Sequence, residues 1–195
     1  MRLTRAGLLT ALLVVAALFV GSAITERIPT ADAVFEGRFS HHAAVGEAVT
    51  LRTGTITVTD VRTAATVSYN GDVARTTGLW VVIDLEWVAA REPRPLPLAA
   101  LLLETPDGRR FGGLPALFVP CTYGQPGLVH TCHLPLEVTP DALAGSRLLV
   151  PAGTNVDAAD DVAVIDLGID AARAEAMAAA TGTIAIPQTV VRGAK

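Results

Sequence analysis

LWVVIDLEWV, residues 79–88, is the clearest strand pattern in the chain. Its odd-numbered residues are all apolar, whereas its even-numbered residues include the acids Asp84 and Glu86. Successive side chains of a β-strand point to opposite faces of the sheet, so we predict that the odd residues lie in a core and the even residues on a half-polar face. This alternation is typical of an antiparallel sheet that packs on one side.

Turn signals separate this strand from further strand-like segments. Asn70-Gly71 and Asp107-Gly108 suit tight turns, because Asn, Asp and Gly tolerate positive φ. Strands are predicted at Glu47–Arg52, Gly54–Arg62, Leu128–Val138, Arg147–Val150 and Val162–Leu167, and a last one, interrupted by Pro187, at 183–192. About seven to nine short strands, with no helices between them, favour an all-β antiparallel sandwich over an α/β fold, and a small barrel is the alternative.

A short helix is predicted near the C-terminus. Asp170 is a suitable N-cap for Ala171–Ala180, and Gly182 can end the helix. The helix and the strand after it extend the sandwich.

The first 25 residues form a separate hydrophobic segment. Arg2 and Arg5 precede an uncharged run, residues 6–25, which as a helix of about 30 Å matches one hydrocarbon core. We predict a single-pass transmembrane helix that contacts membrane lipid through residues 6–25. By the positive-inside rule, the N-terminus is cytoplasmic and the C-terminal domain extracytoplasmic. The alternative is a signal peptide cleaved after Ala23, because Gly21-Ser22-Ala23 offers the small residues that cleavage needs, and the protein would then be secreted.

The predicted organisation has three parts. Residues 1–25 are the transmembrane anchor or signal segment, residues 26–46 are a linker with Pro29, Gly37 and Gly46, and residues 47–195 are the sandwich with its C-terminal helix and strand. The net charge of −4, from 15 basic and 19 acidic residues, argues against a nucleic-acid partner, since such proteins need a basic surface.

Residues 44–170 resemble the extracytoplasmic immunoglobulin-like domains of unknown function found in high-GC Gram-positive bacteria. The segments that carry the resemblance are Val45-Gly46-Glu47, Thr55–Val61, Gly78–Trp87 and Pro106-Asp107-Gly108-Arg109 followed by Phe111. The resemblance implies an immunoglobulin-like antiparallel β-sandwich and brings no catalytic residues with it. The chain departs from antibody domains, which have two cysteines about 60 residues apart.

Cys121 and Cys132 are the chain's two cysteines, and we predict a disulfide between them. An exported domain lies in an oxidising compartment, and Gly124, Pro126 and Gly127 let the chain turn back between the cysteines. A bridge that closes so short a loop contributes about 3 kcal/mol by restricting the unfolded chain.

A metal site is the competing interpretation of this region, since His130, Cys132 and His133 lie on one predicted strand and Cys121 could be a fourth ligand. The alternation of a strand points His133 away from the other two side chains. The cysteine spacing is also not that of a zinc knuckle. We therefore expect no metal and no cofactor.

Two polar groups outside the strands could also bind ions. His41 and His42 are adjacent and could hold copper or nickel weakly, but we interpret them as part of the solvated linker. An acidic loop contains Asn155, Asp157, Asp160 and Asp161. It lacks the glycine and the closing glutamate of a calcium loop, so we interpret it as solvated too.

Residues 79–88 carry the remaining candidates. Asp84 and Glu86 share a face and could act as acid and base, but the wet side of a sheet is the simpler interpretation. Trp87 is assigned to the core. Trp80, on the opposite face, is predicted as a possible exposed anchor in a protein contact.

Nucleophile and phosphate-loop motifs do not occur in the sequence: no G-x-S-x-G, Walker loop or H-E-x-x-H is present. We therefore expect a non-enzymatic, membrane-anchored extracytoplasmic protein that acts as an interaction or accessory module with an unidentified envelope protein. The alternative is a secreted protein that binds a small ligand or a metal.

Overall fold

The structure, a computed structural model, describes residues 5–25, 38–113, 117, 119–121, 123–157 and 160–193. In the first of these ranges it describes side chains at residues 7 and 12–23. The chain divides into two units, Met1–Gly37 and Arg38–Lys195. We call the second unit the β domain.

The described part of the first unit is one helix, α1 (Arg5–Thr25). Its side chains carry no charge after Arg5. Seven of its large apolar side chains are 52–79% exposed, namely Leu12, Leu13, Val14, Val15, Leu18, Phe19 and Val20. Within the described residues, no helix combines the length and the apolar character needed to cross a membrane.

The β domain is mostly strand, so the predicted all-β class is confirmed. Its strands are β1 (Phe39–Ala44), β2 (Ala48–Leu51), β3 (Gly54–Tyr69), β4 (Asp72–Ala89), β5 (Leu102–Glu104), β6 (Arg110–Gly112), β7 (Leu128–Val138), β8 (Arg147–Pro151), β9 (Asp161–Asp166), β10 (Thr183–Ala185) and β11 (Val191–Gly193). Two short 3₁₀ turns, Leu98–Ala100 and Pro140–Ala142, and one helix, α2 (Ala171–Ala178), complete the described elements.

The first sheet has the order β1-β9-β8-β5-β6. Its strands pair antiparallel except for β1, which runs parallel to β9 from Phe39 opposite Asp161 to Ala44 opposite Asp166. The predicted linker is therefore too long, since its last part is a strand. Most side chains of β1 are exposed because it lies at a sheet edge, so the sequence shows no alternation there. Residues 26–37 lie outside the described residues.

The second sheet has the order β10-β3-β4-β7-β11, and β2 also pairs with β3. Antiparallel pairing joins β3, β4 and β7, with Leu85 opposite Val58 on one side and Cys132 on the other. The β3–β4 register shifts twice, the second time between Ala64 and Thr66. Beyond that shift, the two strands continue to a hairpin turn at Asn70, the predicted turn, where Asn70 has a φ of 52°.

The two sheets share one buried cluster, the main core. All five odd-numbered residues from Leu79 to Trp87 belong to it, so the predicted core face is confirmed. Other members come from β3 and β7 in the second sheet and from β5, β8 and β9 in the first, among them Val58, Val61, Leu134, Leu136, Leu103, Leu148, Val150, Ala163 and Ile165. Face-to-face burial of this kind is the basis of a β-sandwich.

Trp87 is packed tightly at one end of the main core. It is 1% exposed, and its indole N–H donates to the carbonyl of Arg94 at 3.2 Å. A Cβ added at Gly54 would lie 2.5 Å from the Trp87 ring, and one at Gly124 would lie 2.3 Å from its Nε1. These two positions require glycine because the indole fills the space that a side chain needs.

A second buried cluster covers part of the opposite face of the second sheet. This outer cluster contains Val67, Tyr69, Trp80, Val82, Leu117, Val119 and Ile186. Trp80 is 1% exposed, so the prediction that it anchors a protein contact is wrong. The hairpin end of β3, the segment near residue 119 and the C-terminal segment cover it.

The C-terminal elements follow the prediction closely. Asp170 caps α2 by accepting a hydrogen bond from the Arg173 backbone N–H at 2.7 Å. The last predicted strand is two strands in the structure, because β10 pairs with β3 and β11 with β7, at opposite edges of the second sheet.

Candidate functional site

Cys121 and Cys132 form the predicted disulfide, with 5.2 Å between their Cα atoms. Cys132 lies in the main core opposite Leu85, and Cys121 packs against that core. The bridge therefore closes the loop before β7 directly onto the sheet.

The two histidines of β7 point to opposite faces, as predicted. The His130 ring accepts a hydrogen bond at Nε2 from the Gln125 backbone N–H at 3.2 Å, and burial lowers the pKa of His130. The described residues contain no group of three or more histidines, cysteines or carboxylates arranged to hold a metal. His130 helps to order the loop that the disulfide closes.

A charged network lies on the outer face of the second sheet. His133 is 5% exposed, and its Nδ1 lies 2.7 Å from the Asp84 carboxylate. Arg62 on β3 donates to the other oxygen of Asp84, also at 2.7 Å, and its Nε lies 3.3 Å from the Asp60 carboxylate. Asp84 is therefore one member of an ion-paired network rather than a solvated side chain. Glu86 is separate from it and pairs with Arg192 at 2.6 Å.

The residues around Asp84 determine its charge state. Burial raises the pKa of Asp84, but the hydrogen bond from His133 and the charge of Arg62 outweigh it, so the pKa lies below its ordinary value of 3.8. His133 Nε2 is buried and has no hydrogen-bond partner among the described residues. The network is arranged to hold a carboxylate ionised, and the described residues place no nucleophile within hydrogen-bonding distance of the histidine.

We expect Asp84→Asn to lower the free energy of unfolding by about 1–3 kcal/mol at pH 7, because it removes the partly buried carboxylate that bonds to both Arg62 and His133. The pKa of Asp84 is lower in the folded protein than in the unfolded chain. The contribution of Asp84 to the free energy of unfolding is therefore fully present above its ordinary pKa, and it is lost as the pH falls through the pKa of the folded protein. Urea unfolding of the wild type and the Asp84→Asn variant measures this at pH 7 and pH 3. The difference between their free energies of unfolding should be smaller at pH 3 than at pH 7.

Glu86→Gln is the matched control on the same face of β4. Its partner is exposed, so the loss should not exceed about 1 kcal/mol. Equal losses for the two variants at pH 7 would contradict a special role for the Asp84 network.

The carboxylates of the predicted acidic loop point to different partners. Asp157 accepts two hydrogen bonds from Arg110, at 2.7 and 2.8 Å. Asp160 also accepts two from Arg52, from Nε at 2.6 Å and from a terminal guanidinium nitrogen. Asp161 lies 3.3 Å from His41 and also accepts from the Arg52 backbone N–H at 2.9 Å. These carboxylates are thus ion-paired, Asp157 is also exposed to solvent as predicted, and the described oxygens do not form a metal-binding group. His41, predicted in the linker, lies on β1.

An arginine-lined pocket of ≈ 270 Å³ lies where the β2–β3 turn meets the end of β4. We call it the arginine pocket. Its lining residues are Arg52, Thr53, Ala90, Arg91, Glu92 and Arg94. The sequence does not reveal this pocket, because its arginines come from two separate turns and form no motif.

Comparison with known proteins gives no assignment, since no family model, curated protein or solved structure matches this chain. A functional assignment therefore depends on the residues and the geometry of this chain.

Proposed function

We propose that this protein is a non-enzymatic, membrane-tethered module of the cell envelope, whose extracytoplasmic β domain binds another envelope component. The tether is the N-terminal helix, with the N-terminus in the cytoplasm. The β domain follows it and carries the binding surface.

The observation that carries the proposal is the exposure of large apolar side chains along α1. Seven of them, from Leu12 to Val20, are at least 52% exposed, and no charged residue interrupts the run from 6 to 25. Exposed apolar surface of this kind needs a covering phase, and the lipid bilayer supplies one. The arginines at positions 2 and 5 favour a cytoplasmic N-terminus.

Strand order supports an immunoglobulin-like assignment for the β domain. Immunoglobulin sandwiches place strands A, B and E side by side in one sheet and strands G, F, C and C′ in the other. The order β3-β4-β7 corresponds to A-B-E, and the order β9-β8-β5-β6 corresponds to G-F-C-C′, with antiparallel pairing throughout both runs. The strands β1, β10 and β11 are additions at the edges.

Membrane fractionation tests the tether. We expect the full-length protein to stay in the membrane pellet during alkaline carbonate extraction. A variant with Leu13→Arg and Leu18→Arg should move to the soluble fraction, since each arginine near the centre of a membrane helix costs about 2.5–3.5 kcal/mol. The matched control, Leu13→Met with Leu18→Met, should stay in the pellet. Full-length wild type in the soluble fraction would overturn the tether.

Crosslinking in intact cells tests the binding role. A specific envelope component should be recovered with the wild-type protein, and its recovery should depend on the β domain. Recovery of the same species with an unrelated protein on the same tether would contradict the proposal.

A secreted ligand-binding protein is the second candidate. The small residues Gly21-Ser22-Ala23 favour cleavage, and a groove of ≈ 550 Å³ between Tyr69, Val73, Leu117 and Pro120 has the size of a small-ligand site. The intact mass of the protein recovered from cells separates the two candidates, because cleavage removes the first 23 residues.

A further inference from the structure

We infer that the arginine pocket is a binding site for a phosphate group, with Arg91 as its main ligand. The inference adds a ligand class to the proposed envelope role and rests on that role only for the source of the ligand.

The charges of the pocket leave one arginine without a partner. Arg52 pairs with Asp160, and Arg94 pairs with Glu92 at 2.9 Å. Arg91 is exposed and lines the same cavity, and within the described part of the chain no carboxylate pairs with it. The residues that line the pocket, taken with Asp160, therefore carry an unbalanced positive charge.

The three guanidinium groups suit an oxyanion. Arginine presents several N–H donors in a planar fork and binds phosphate oxygens in pairs. Arg52 and Arg94 are 55% and 40% exposed, so both keep donors available beside their carboxylate partners. A cavity of ≈ 270 Å³ lies just below the ~300–1,000 Å³ usual for drug-sized ligands. Its size therefore suits a head group rather than a large molecule.

The walls of the pocket are fixed by backbone hydrogen bonds. Arg94 and Gly124 exchange two N–H···O bonds, each 2.9 Å long, and the Arg94 carbonyl also accepts from Trp87. Across the pocket, the Ala90 N–H donates to the Thr53 carbonyl at 3.0 Å. A site whose walls are already ordered loses less entropy when its ligand binds.

The phosphate group has two sources to distinguish. The backbone carbonyl of Asp160, whose carboxylate pairs with Arg52, accepts a hydrogen bond from the Phe39 backbone N–H at 3.0 Å. Phe39 begins β1, where the chain enters the β domain from the N-terminal segment. A phosphate group at this point comes either from an anionic lipid head group or from a soluble phosphate-bearing molecule, and the experiment has one arm for each.

Titration with inorganic phosphate tests the site directly. The full-length protein in a zwitterionic detergent is titrated at constant ionic strength, and tryptophan fluorescence reports binding because Trp87 is bonded to Arg94. We expect a saturable change, and Arg91→Gln should raise the Kd at least about tenfold. Arg91→Lys keeps the positive charge but loses the planar pair of N–H donors. Its Kd for phosphate should therefore lie between those of the wild type and Arg91→Gln.

Arg75→Gln is the matched control, since Arg75 is an exposed arginine on the β3–β4 hairpin with no ion pair among the described residues. It should bind phosphate like the wild type. Thermal unfolding of each variant checks that the fold is intact. The inference is overturned if the wild type gives no saturable change, or if Arg91→Gln and Arg75→Gln bind equally.

Reconstitution into vesicles distinguishes the two sources. In vesicles of phosphatidylcholine with phosphatidylglycerol, an occupying head group should shift the Trp87 emission and block the response to added phosphate, and Arg91→Gln should restore the spectrum seen in pure phosphatidylcholine. If the response to phosphate is the same in both vesicles, the ligand is a soluble phosphate compound. A failed titration leaves the fractionation result unchanged, so the pocket and the tether are tested separately.

Discussion

Trp87→Ala is expected to lower the free energy of unfolding of the β domain by about 3–5 kcal/mol, the range for removing a buried tryptophan. The indole is 1% exposed, fills the space between Gly54 and Gly124, and holds the Arg94 carbonyl. Its removal leaves a cavity in the main core and breaks that hydrogen bond. Urea unfolding followed by circular dichroism measures the loss.

Tyr123→Ala is the control, because Tyr123 is 64% exposed and precedes Gly124 in the chain. We expect its effect to stay within about 0.5 kcal/mol. Trp87→Phe should remain folded and should lower the free energy of unfolding by less than Trp87→Ala does. It can be compared with the Tyr123→Ala control even if the alanine variant does not fold. A loss below 1 kcal/mol for Trp87→Ala would contradict the packing described.

Removal of the disulfide is expected to cost about 3 kcal/mol, since the cysteines are 11 residues apart and the bridge restricts a short loop of the unfolded chain. For a domain of this size, that loss corresponds to a fall in Tm of about 6–12 °C. Thermal unfolding of the wild type with and without reductant measures it. The variant with Cys121→Ala and Cys132→Ala should melt near the reduced wild type.

The double alanine variant is also the control for the reductant, because its Tm should not change when reductant is added. Labelling of the unfolded protein should find no reactive thiol until the bridge is reduced. Two reactive thiols in the native protein would contradict a formed disulfide.

Alternation along a strand was enough to predict the main core. The odd residues from Leu79 to Trp87 face it because the period of a strand is two, whatever lies on the other face. The disulfide was also predictable, since it follows from an expected compartment and from turn residues. Neither prediction needed knowledge of contacts between distant segments.

Predictions that depended on distant contacts failed. Trp80 shares a face with Asp84 and Glu86, so alternation places it on the polar side, but Tyr69 and Ile186 cover it. Nothing in the residues next to Trp80 encodes that cover. The strand β1 was missed for a related reason, because its partner, β9, lies far along the chain and exposed edge residues follow no pattern.

The candidate site was only partly visible in the sequence. Asp84 was singled out, but its partners come from β3 and β7, and the register that joins them depends on an irregularity in β3 before Asp60. The arginine pocket brings together turns about 40 residues apart, and Arg52 pairs with Asp160, a residue 108 positions further along the chain.

The parallel pairing of β1 with β9 has a consequence for the time at which the domain can fold. Roughly 120 residues separate the paired positions, so β1 cannot pair with β9 until residues 161–166 have left the ribosome. At about 5–20 residues per second, synthesis of that stretch takes roughly 6–24 s. The first strand to emerge therefore waits longest for its neighbour, and folding of the complete first sheet is a late event with a high contact order.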